Sequence, residues 1–240
     1  MNNFINDLSA ENRGGLLVIT LARAQKANAL TMKMNRGLAQ LLHQATTDTA
    51  VRGVLLTGTG ERAFCAGVDV RESSSLPLPE FRRARSAAFF ALLLALTDFE
   101  KPLVAAVNGV ASGGGFMIAA LADVIVTVED AYFSLPEIDL GTPALAGLVV
   151  LEPLVGAALA YDLVQSGRRL SADEGERCGL IRAVLPREAV FAQAESLARE
   201  LMAKNANAFA ASKEWMRKPV RAELERAEAA MVAWRAAGGE

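Results

Sequence analysis

The sequence predicts an α/β domain followed by an all-helical C-terminal segment. Short apolar runs typical of buried strands alternate with longer segments that have helical periodicity. Beyond Pro186 the pattern is helical throughout. With 240 residues, 52% of them hydrophobic and 22% charged, the chain is long and apolar enough to build one domain around a large core.

Charge and cysteine content exclude several classes of protein. The 25 basic and 27 acidic residues give a net charge of −2, so we expect no nucleic-acid partner, although a local basic patch can still hold a phosphate-bearing small molecule. Two cysteines, Cys65 and Cys178, cannot build a disulfide framework, and no zinc-binding spacing exists. We therefore expect no metal and a reducing, cytoplasmic setting.

The sequence also predicts a soluble protein without a membrane segment. The N-terminus lacks the basic start and apolar run of a signal peptide. Apolar residues 87–96 are too few for the roughly 20 that a membrane span needs, and residues 140–160 are interrupted by Glu152 and Pro153. Both segments are expected to be buried helices.

The first half of the chain contains three predicted strands. Residues 16–21 are apolar at nearly every position, as in a buried strand. Thr31 is placed to cap a helix that runs to about residue 47, whose apolar face comprises Met34, Leu38, Leu41, Leu42 and Ala45. A second strand at 53–57 is followed by a Ser/Pro loop at 73–79, which we expect to be the most mobile segment. A helix over 80–96 leads to the third strand, which starts at residue 103.

The second half is dominated by helices. We expect a short helix over 114–121, a strand over 124–128 and a strand over 181–184. Residues 142–166 are predicted to form two helices broken near Pro153, and Ser171 opens a capping box whose helix stops at Gly179. The C-terminal segment is predicted to contain three helices, over residues 187–203, 205–217 and 219–237.

Two glycine-rich stretches and one carboxylate carry the chemistry of the sequence. Residues 63–69 and 111–116 each follow a strand-like run, and their small side chains let a backbone N–H approach a ligand closely. Two such N–H groups that converge on one oxygen form an oxyanion hole, and Glu137 can then move a proton beside it. Taken singly, either stretch is also compatible with a tight strand-to-helix turn.

Four motifs in order identify a family resemblance. Residues 23–30, 63–71, 108–115 and 133–141 resemble the crotonase superfamily of enoyl-CoA hydratases and isomerases, and the resemblance extends from about residue 14 to the last helix. It implies a spiral of repeated ββα units over residues 1–186 that holds the thioester site. It also implies a helical C-terminal subdomain, residues 187–240, for trimerisation and active-site cover.

The same resemblance implies the ligand and the assembly. The substrate would be an acyl-CoA thioester of fatty acid metabolism, with coenzyme A as part of the substrate and no separate cofactor. The chain would form a homotrimer, or a hexamer built as a dimer of trimers.

The resemblance assigns roles to individual residues. It places the oxyanion donors on the backbone N–H groups of Val68 and Gly114. It places Lys26 and Arg71 near the phosphates of coenzyme A, where the alternative for each is a solvated surface cation. The backbone around Ala27 and Ala29 would flank the adenine. The remaining residues of the implied substrate and CoA site are Ala66, Asp69, Val70 and Met117.

Met117 decides which reaction of the family we expect. Hydratases of the family have a glutamate at this position and a second one at the position of Glu137, and both activate water. Methionine can neither accept a proton nor hold water strongly. A single glutamate can take a proton from one carbon and return it to another, which is the chemistry of Δ3-Δ2 enoyl-CoA isomerases. We expect apolar neighbours to raise the pKa of Glu137.

Two alternatives to isomerisation stay open. The first is another reaction of the same family, namely hydration supported by an unrecognised acid, decarboxylation or thioester hydrolysis. The second is a non-catalytic CoA-binding or assembly protein. Asp139 is a weaker acid candidate, since in an extended segment it would share a face with Glu137.

The other chemically distinctive residues are predicted to be structural. His43 has no partner in the sequence and is expected at the surface or in packing. Cys65 is interpreted as a small filler and Cys178 as a core residue. Trp215, Met216 and Trp234 are expected in packing or subunit contacts. The acyl pocket is predicted to be lined by the helix that starts at residue 80 and by residues 116–121 and 142–150, which indicates an apolar acyl group.

Overall fold

The computed structural model describes residues 3–5 and 7–239, with side chains from residue 7 onward. Its strands are β1 (Asn3–Ile5), β2 (Leu8–Arg13), β3 (Leu16–Leu21), β4 (Gly53–Gly58), β5 (Ala63–Cys65), β6 (Leu103–Val107), β7 (Val110–Ser112), β8 (Val124–Val128), β9 (Tyr132–Ser134), β10 (Leu170–Ser171) and β11 (Ala183–Leu185). Its α-helices are α1 (Met32–Thr47), α2 (Leu78–Thr97), α3 (Gly114–Ala120), α4 (Leu145–Val155), α5 (Ala157–Ser166), α6 (Ala172–Arg177), α7 (Arg187–Met202) and α8 (Ala206–Ala236).

The strands form two sheets that are built up together along the chain. The larger sheet has the order β1-β2-β3-β4-β6-β8-β11 and is parallel from β3 onward. The smaller has the order β10-β9-β7-β5, with β5, β7 and β9 parallel. The chain therefore makes successive turns, β4-β5-α2, β6-β7-α3 and β8-β9-α4, each adding one strand to each sheet. The α/β architecture with repeated ββα units is confirmed.

The core lies where the predicted apolar runs meet. The strands β4 and β6 are buried almost throughout, which fits parallel strands covered on both faces. The predicted apolar face of α1 is buried, and the Thr31 hydroxyl accepts a hydrogen bond from the Met34 N–H at 3.1 Å. Ser171 caps α6 in the same way, at 3.1 Å from the Glu174 N–H. The helix predicted from residue 80 begins at Leu78, with Pro79 in its first turn where no N–H is needed.

The two helices predicted over residues 142–166 are confirmed. Their break falls at Gly156, three residues after Pro153, where a φ of 80° is a conformation that favours glycine. The break predicted between residues 217 and 219 is wrong, because α8 is continuous through Pro219 and the predicted helices 205–217 and 219–237 are one. Proline has no N–H to donate, so the carbonyl of Trp215, four residues earlier, loses its partner in the helix.

The prediction missed short strands. The strand β2 precedes the first predicted strand and has a polar sequence, and the strands of the smaller sheet are two or three residues long. Such lengths leave no alternating pattern to read. The last strand lies at Ala183–Leu185 rather than 181–184, since the Ile181 N–H bonds instead to the Gly175 carbonyl at 3.0 Å.

The C-terminal helices pack on the α/β core. Helix α7 contacts β4, β6 and β8, whereas α8 contacts α2 and α4. The boundary at residue 186 stays a prediction. Among the described residues, no helix combines the length and apolar character that crossing a membrane requires.

Candidate active site

The two glycine-rich turns meet at one edge of the smaller sheet. Strands β5 and β7 pair in parallel, with Cys65 opposite Ala111, so the chain leaves both strands on the same side. Gly67 has a φ of 92°, and a Cβ built there would lie 2.7 Å from the Ser112 carbonyl oxygen and 3.4 Å from the Gly114 nitrogen. Only glycine permits this approach, which brings the turn before Val68 against the start of α3.

Both predicted donor N–H groups are left free by the local hydrogen bonding. The Leu30 N–H bonds to the Gly67 carbonyl at 2.7 Å and the Asp69 N–H to the Leu30 carbonyl at 2.9 Å. This parallel bridge uses the groups on either side of Val68, so the Val68 N–H points the other way. Gly114 is the first residue of α3, and the first bond back along that helix is made by the Met117 N–H. The Gly114 N–H therefore has no intrahelical acceptor.

Glu137 lies beside these two turns. It belongs to a 3-10 helix, Pro136–Leu140, that follows β9, and β9 pairs in parallel with β7. A Cβ built on Gly113 would lie 3.0 Å from Glu137 Oε1. Oε2 is buried and has no hydrogen-bond partner among the described residues. Burial raises the pKa of Glu137 to about 7, and a hydrogen bond from its own backbone N–H opposes the rise only in part. The raised pKa predicted from sequence is confirmed.

These groups open into one cavity of about 300 Å³. Its walls include Val68, Gly114 and Glu137 together with the buried Met117. The predicted acyl walls are present, because α2, Met117 and residues 142–146 all contribute. The Phe89 ring lies against Gly114, 2.9 Å from the position of a Cβ there. The structure thus brings one carboxylate and two free N–H groups into a largely apolar pocket.

Sequence reasoning missed the cationic part of this cavity. Arg82 and Arg85 line it from α2, and Arg235 lines it with Met231 from α8. A signal for the first two was present, because Arg82, Arg85 and Phe89 recur at helical spacing on one face. Arg235 could not be placed from sequence, since its position depends on how α8 packs against α2.

The predicted CoA residues fall into two groups. Ala66, Val68, Val70, Gly114 and Met117 line the cavity. The others lie outside the cavity lining: Lys26, Ala27, Ala29, Asp69 and Arg71. The two groups are joined by a hydrogen bond of 3.0 Å from the Ala66 N–H to the Ala27 carbonyl. Lys26 and Arg71 are exposed, and neither makes an ion pair within the described chain.

The Asp69 side chain is engaged in a structural ion pair. Its carboxylate lies 2.7 Å from Arg23 Nη1, and both side chains are mostly buried. Burial acts to raise the pKa of Asp69, but hydrogen bonds from Arg23 and the Arg71 N–H, and the charge of Arg23, hold it below its ordinary value. Asp69 therefore joins the loop of residues 23–30 to the turn at residues 66–68, here called the oxyanion turn because the family resemblance predicts one of the two donors there.

Asn28 is a positioning residue that the sequence did not reveal. It is fully buried with a φ of 54°, and its side-chain amide donates to the Thr59 and Ala63 carbonyls at 2.9 and 2.8 Å. Its carbonyl oxygen accepts from the Arg23 N–H at 2.9 Å. The amide thus fixes the loop that carries Lys26 to the strand entering the oxyanion turn.

The structure also settles the minor candidates. Asp139 does not share a face with Glu137, because the segment is a 3-10 helix and not extended, and Asp139 is exposed beside Gly167. His43 is exposed, as expected. Cys65 is fully buried, and burial raises the pKa of its thiol to about 12, so it is no nucleophile. Cys178 is half-buried and not a core residue.

Comparison with known proteins identifies relatives of the whole fold. A family described as enoyl-CoA hydratase/isomerase matches residues 11–234. A carnitinyl-CoA dehydratase from Salmonella typhi is 36% identical over 208 residues, which are 86% of this chain and 78% of that protein. The structure of an enoyl-CoA hydratase from Bacillus anthracis superposes with a TM-score of 0.82 at 28% identity, over 95% of this chain and 91% of that one. The structure of an enoyl-CoA hydratase/isomerase from Mycobacterium paratuberculosis superposes with a TM-score of 0.85 at 28% identity, over 94% of this chain and 92% of that one.

Proposed function

Because the chain belongs to the enoyl-CoA hydratase/isomerase family, we propose that it converts a Δ3 enoyl-CoA to its Δ2 isomer with Glu137 as the single acid and base. The observation that carries this proposal is the pairing of Met117 with Glu137. Glu137 is the one carboxylate among the described residues that line the cavity, and Met117 occupies the position where a second would be needed to activate water.

The geometry supports each step of this reaction. Glu137 takes a proton from C2 of the 3-enoyl thioester, and the electrons of that C–H bond delocalise onto the thioester oxygen. The Val68 and Gly114 N–H groups stabilise the resulting dienolate, a contribution of about 3 kcal/mol for each donor. Glu137 then returns the proton to C4, and the double bond ends between C2 and C3. A carboxyl group with a pKa of about 7 exchanges a proton readily in both directions.

The second candidate is addition or removal of water on the same scaffold. It is favoured by the 36% identity to a carnitinyl-CoA dehydratase and by the hydratases among the structural relatives. The cavity offers the hydroxyl groups of Ser86 and Thr142, which could hold a water molecule but are no substitute for a second carboxylate.

Product analysis separates the two reactions. The protein is incubated with 3-hexenoyl-CoA, 2-hexenoyl-CoA and carnitinyl-CoA, and the products are separated by liquid chromatography beside 2-enoyl and 3-enoyl standards and identified by mass spectrometry. Isomerisation predicts a new 2-enoyl product of unchanged mass from the first substrate, which Glu137→Gln abolishes. A gain of one water by the 2-enoyl substrate, or its loss from carnitinyl-CoA, would overturn the isomerase assignment. If none of these thioesters binds, a non-catalytic assembly role is favoured.

We extend the proposal to coenzyme A binding and to assembly. The exposed Lys26 and Arg71 lie on the surface next to the oxyanion turn and would contact the phosphates of coenzyme A. Lys26→Gln is then expected to raise KM without lowering kcat, because the contact is the same in the ground and transition states.

A trimer, or a dimer of trimers, is supported by Trp215 and Met216, which are 79% and 66% exposed on α8. Sedimentation should give three or six chain masses, and a monomer would contradict this part.

A further inference from the structure

Three arginine side chains share the cavity with the reacting groups. Arg82 and Arg85 extend from α2 and Arg235 from α8, and all three are half-buried. The side chains around them are mainly apolar, including Phe89, Phe90, Leu140, Leu145 and Met231. Half-buried guanidinium groups in such surroundings bind an anion favourably, because an anion accepts their hydrogen bonds and offsets the loss of water.

Their position along α2 separates them from the thioester end of the cavity. The Phe89 ring contacts Gly114, so this turn of α2 lies at the oxyanion hole. Arg85 is one helical turn and Arg82 two turns N-terminal to it, about 6 and 10 Å along the helix axis. The positive charges therefore line the cavity at a distance from the reacting carbons.

These arginines have no carboxylate partner. No ion pair joins Arg82, Arg85 or Arg235 to an acid within residues 7–239, although thirteen other ion pairs are present there. Arg85 donates to the Asp69 carbonyl at 3.2 Å and lies 5.4 Å from the centre of the Phe81 ring, and neither contact is a salt bridge.

The nearest acids are occupied or face elsewhere. The Asp69 carboxylate binds Arg23 at 2.7 Å, and both oxygens of Glu72 accept from the Met32 N–H, at 3.1 and 3.0 Å. Glu228 lines a neighbouring cavity to which Arg82 and Arg235 also contribute, but within residues 7–239 it forms an ion pair with neither. Burial and the charge of Arg82 lower the pKa of Arg85, although the charges of Glu72 and Asp69 oppose this effect. Burial and the charges of Arg85 and Arg82 lower the pKa of Arg235. The three cations thus repel one another, and within residues 7–239 no carboxylate forms an ion pair with any of them.

We propose that the acyl group of the substrate ends in a carboxylate, which Arg82 and Arg235 bind while Arg85 adds to the positive field. This inference rests on the proposed acyl-CoA function and narrows its substrate class. The apolar stem of the acyl group would pass Phe89, Met117 and Leu145, as the sequence predicted, and its charged end would reach the arginines. A cationic acyl group is disfavoured by the same charges.

Binding of two saturated thioesters tests the inference without requiring turnover. Hexanoyl-CoA and adipoyl-CoA have six-carbon acyl groups that differ in the terminal carboxylate. Titration calorimetry should show tighter binding of adipoyl-CoA to the unaltered protein. Arg82→Gln and Arg235→Gln should each weaken adipoyl-CoA binding by about 10- to 100-fold, the value of a charged hydrogen bond, and leave hexanoyl-CoA binding unchanged. Arg83→Gln is the matched control, since Arg83 is exposed on the same helix and outside this cavity.

Three results would overturn the inference. The first is equal affinity of the unaltered protein for both thioesters. The second is an equal loss of affinity for adipoyl-CoA and hexanoyl-CoA in the variants, which would reflect misfolding or a merely structural role. The third is weaker binding of coenzyme A itself by the variants than by the unaltered protein, with no such difference for dephospho-coenzyme A. That result would assign the arginines to the nucleotide phosphates. A preference for adipoyl-CoA in a protein that does not isomerise 3-enoyl thioesters would uphold the inference and reject only the isomerase reaction.

Discussion

The proposed chemistry depends on one carboxyl group, of which one oxygen has no partner among the described residues. Glu137 lies in the cavity with Oε2 buried and unbonded, and burial raises its pKa to about 7. In the proposed reaction the deprotonated form is the base that removes the proton from C2. We therefore expect kcat/KM for 3-enoyl-CoA to rise with pH to a plateau, with a midpoint near 7, and Glu137→Gln to lower it by about 100-fold or more. A flat profile from pH 5 to 9 would contradict this assignment.

The same burial makes Glu137 costly for stability. Its pKa is about 7 in the folded protein and near 4.5 when unfolded, so the folded state binds the proton more tightly. The free energy of unfolding should therefore fall as pH rises from about 4.5 through 7. Removing the charge in Glu137→Gln should stabilise the protein by on the order of 3 kcal/mol at pH 8 and have little effect at pH 4.

Urea unfolding of both proteins at the two pH values measures this difference. A variant that is less stable than the original at pH 8 would show that the Glu137 carboxylate is better solvated than its position indicates.

At the level of single residues, the sequence identified groups whose role depends on local motifs. Glu137 and the small residues around Val68 and Gly114 follow from residue type and order. Asn28 and the three arginines could not be assigned, because their roles arise from contacts between segments distant in sequence. Asp139 was misjudged since the expected extended backbone is a 3-10 helix.

At the scale of elements, α8 shows where local rules fail. Proline disfavours a helix interior, yet α8 continues through Pro219, held by contacts with α2 and α4. Pro219→Ala should restore a backbone hydrogen bond and raise the free energy of unfolding by about 1–3 kcal/mol. Lys218→Ala, also exposed on α8, is the control and should change it by less than about 0.5 kcal/mol. No gain in Pro219→Ala on chemical unfolding would indicate that the proline relieves strain in the helix.

The length of each strand decides whether it could be predicted from its own residues. The long apolar strands of the larger sheet were predicted from their residues, whereas the strands of the smaller sheet, which position the site, are too short to show a pattern. Their formation depends on pairing with one another, which only the folded chain supplies.

At the scale of the whole molecule, a buried ion pair between Asp123 and Lys213 joins helix α8 to the core, and Arg217 of the same helix lies 3.8 Å from the other Asp123 oxygen. Asp123 Oδ2 accepts from the Leu103 N–H at 2.8 Å and from Lys213 Nζ at 2.7 Å, and Lys213 also donates to the Lys101 carbonyl. Lys101 in turn binds three carbonyls at the end of α1 and the loop after it. Loss of one partner leaves a charge buried and unpaired.

Asp123→Asn should accordingly cost about 3–5 kcal/mol in the free energy of unfolding. Asp98→Asn provides the matched control, because Asp98 pairs at the surface with Arg221, which like Lys213 belongs to α8. An exposed ion pair of this kind contributes less than about 1 kcal/mol to the free energy of unfolding. Equal effects of the two substitutions in thermal or urea unfolding would show that the buried pair does not hold α8 to the core.

The central claim is that one carboxylate carries hydrogen from C2 to C4 of a thioester enolate. It is tested most directly by supplying 3-hexenoyl-CoA deuterated at C2 and locating deuterium in the product by NMR. The account predicts 2-hexenoyl-CoA with part of the deuterium transferred to C4 and no product from Glu137→Gln. Formation of 3-hydroxyhexanoyl-CoA, or turnover that survives in Glu137→Gln, would contradict it.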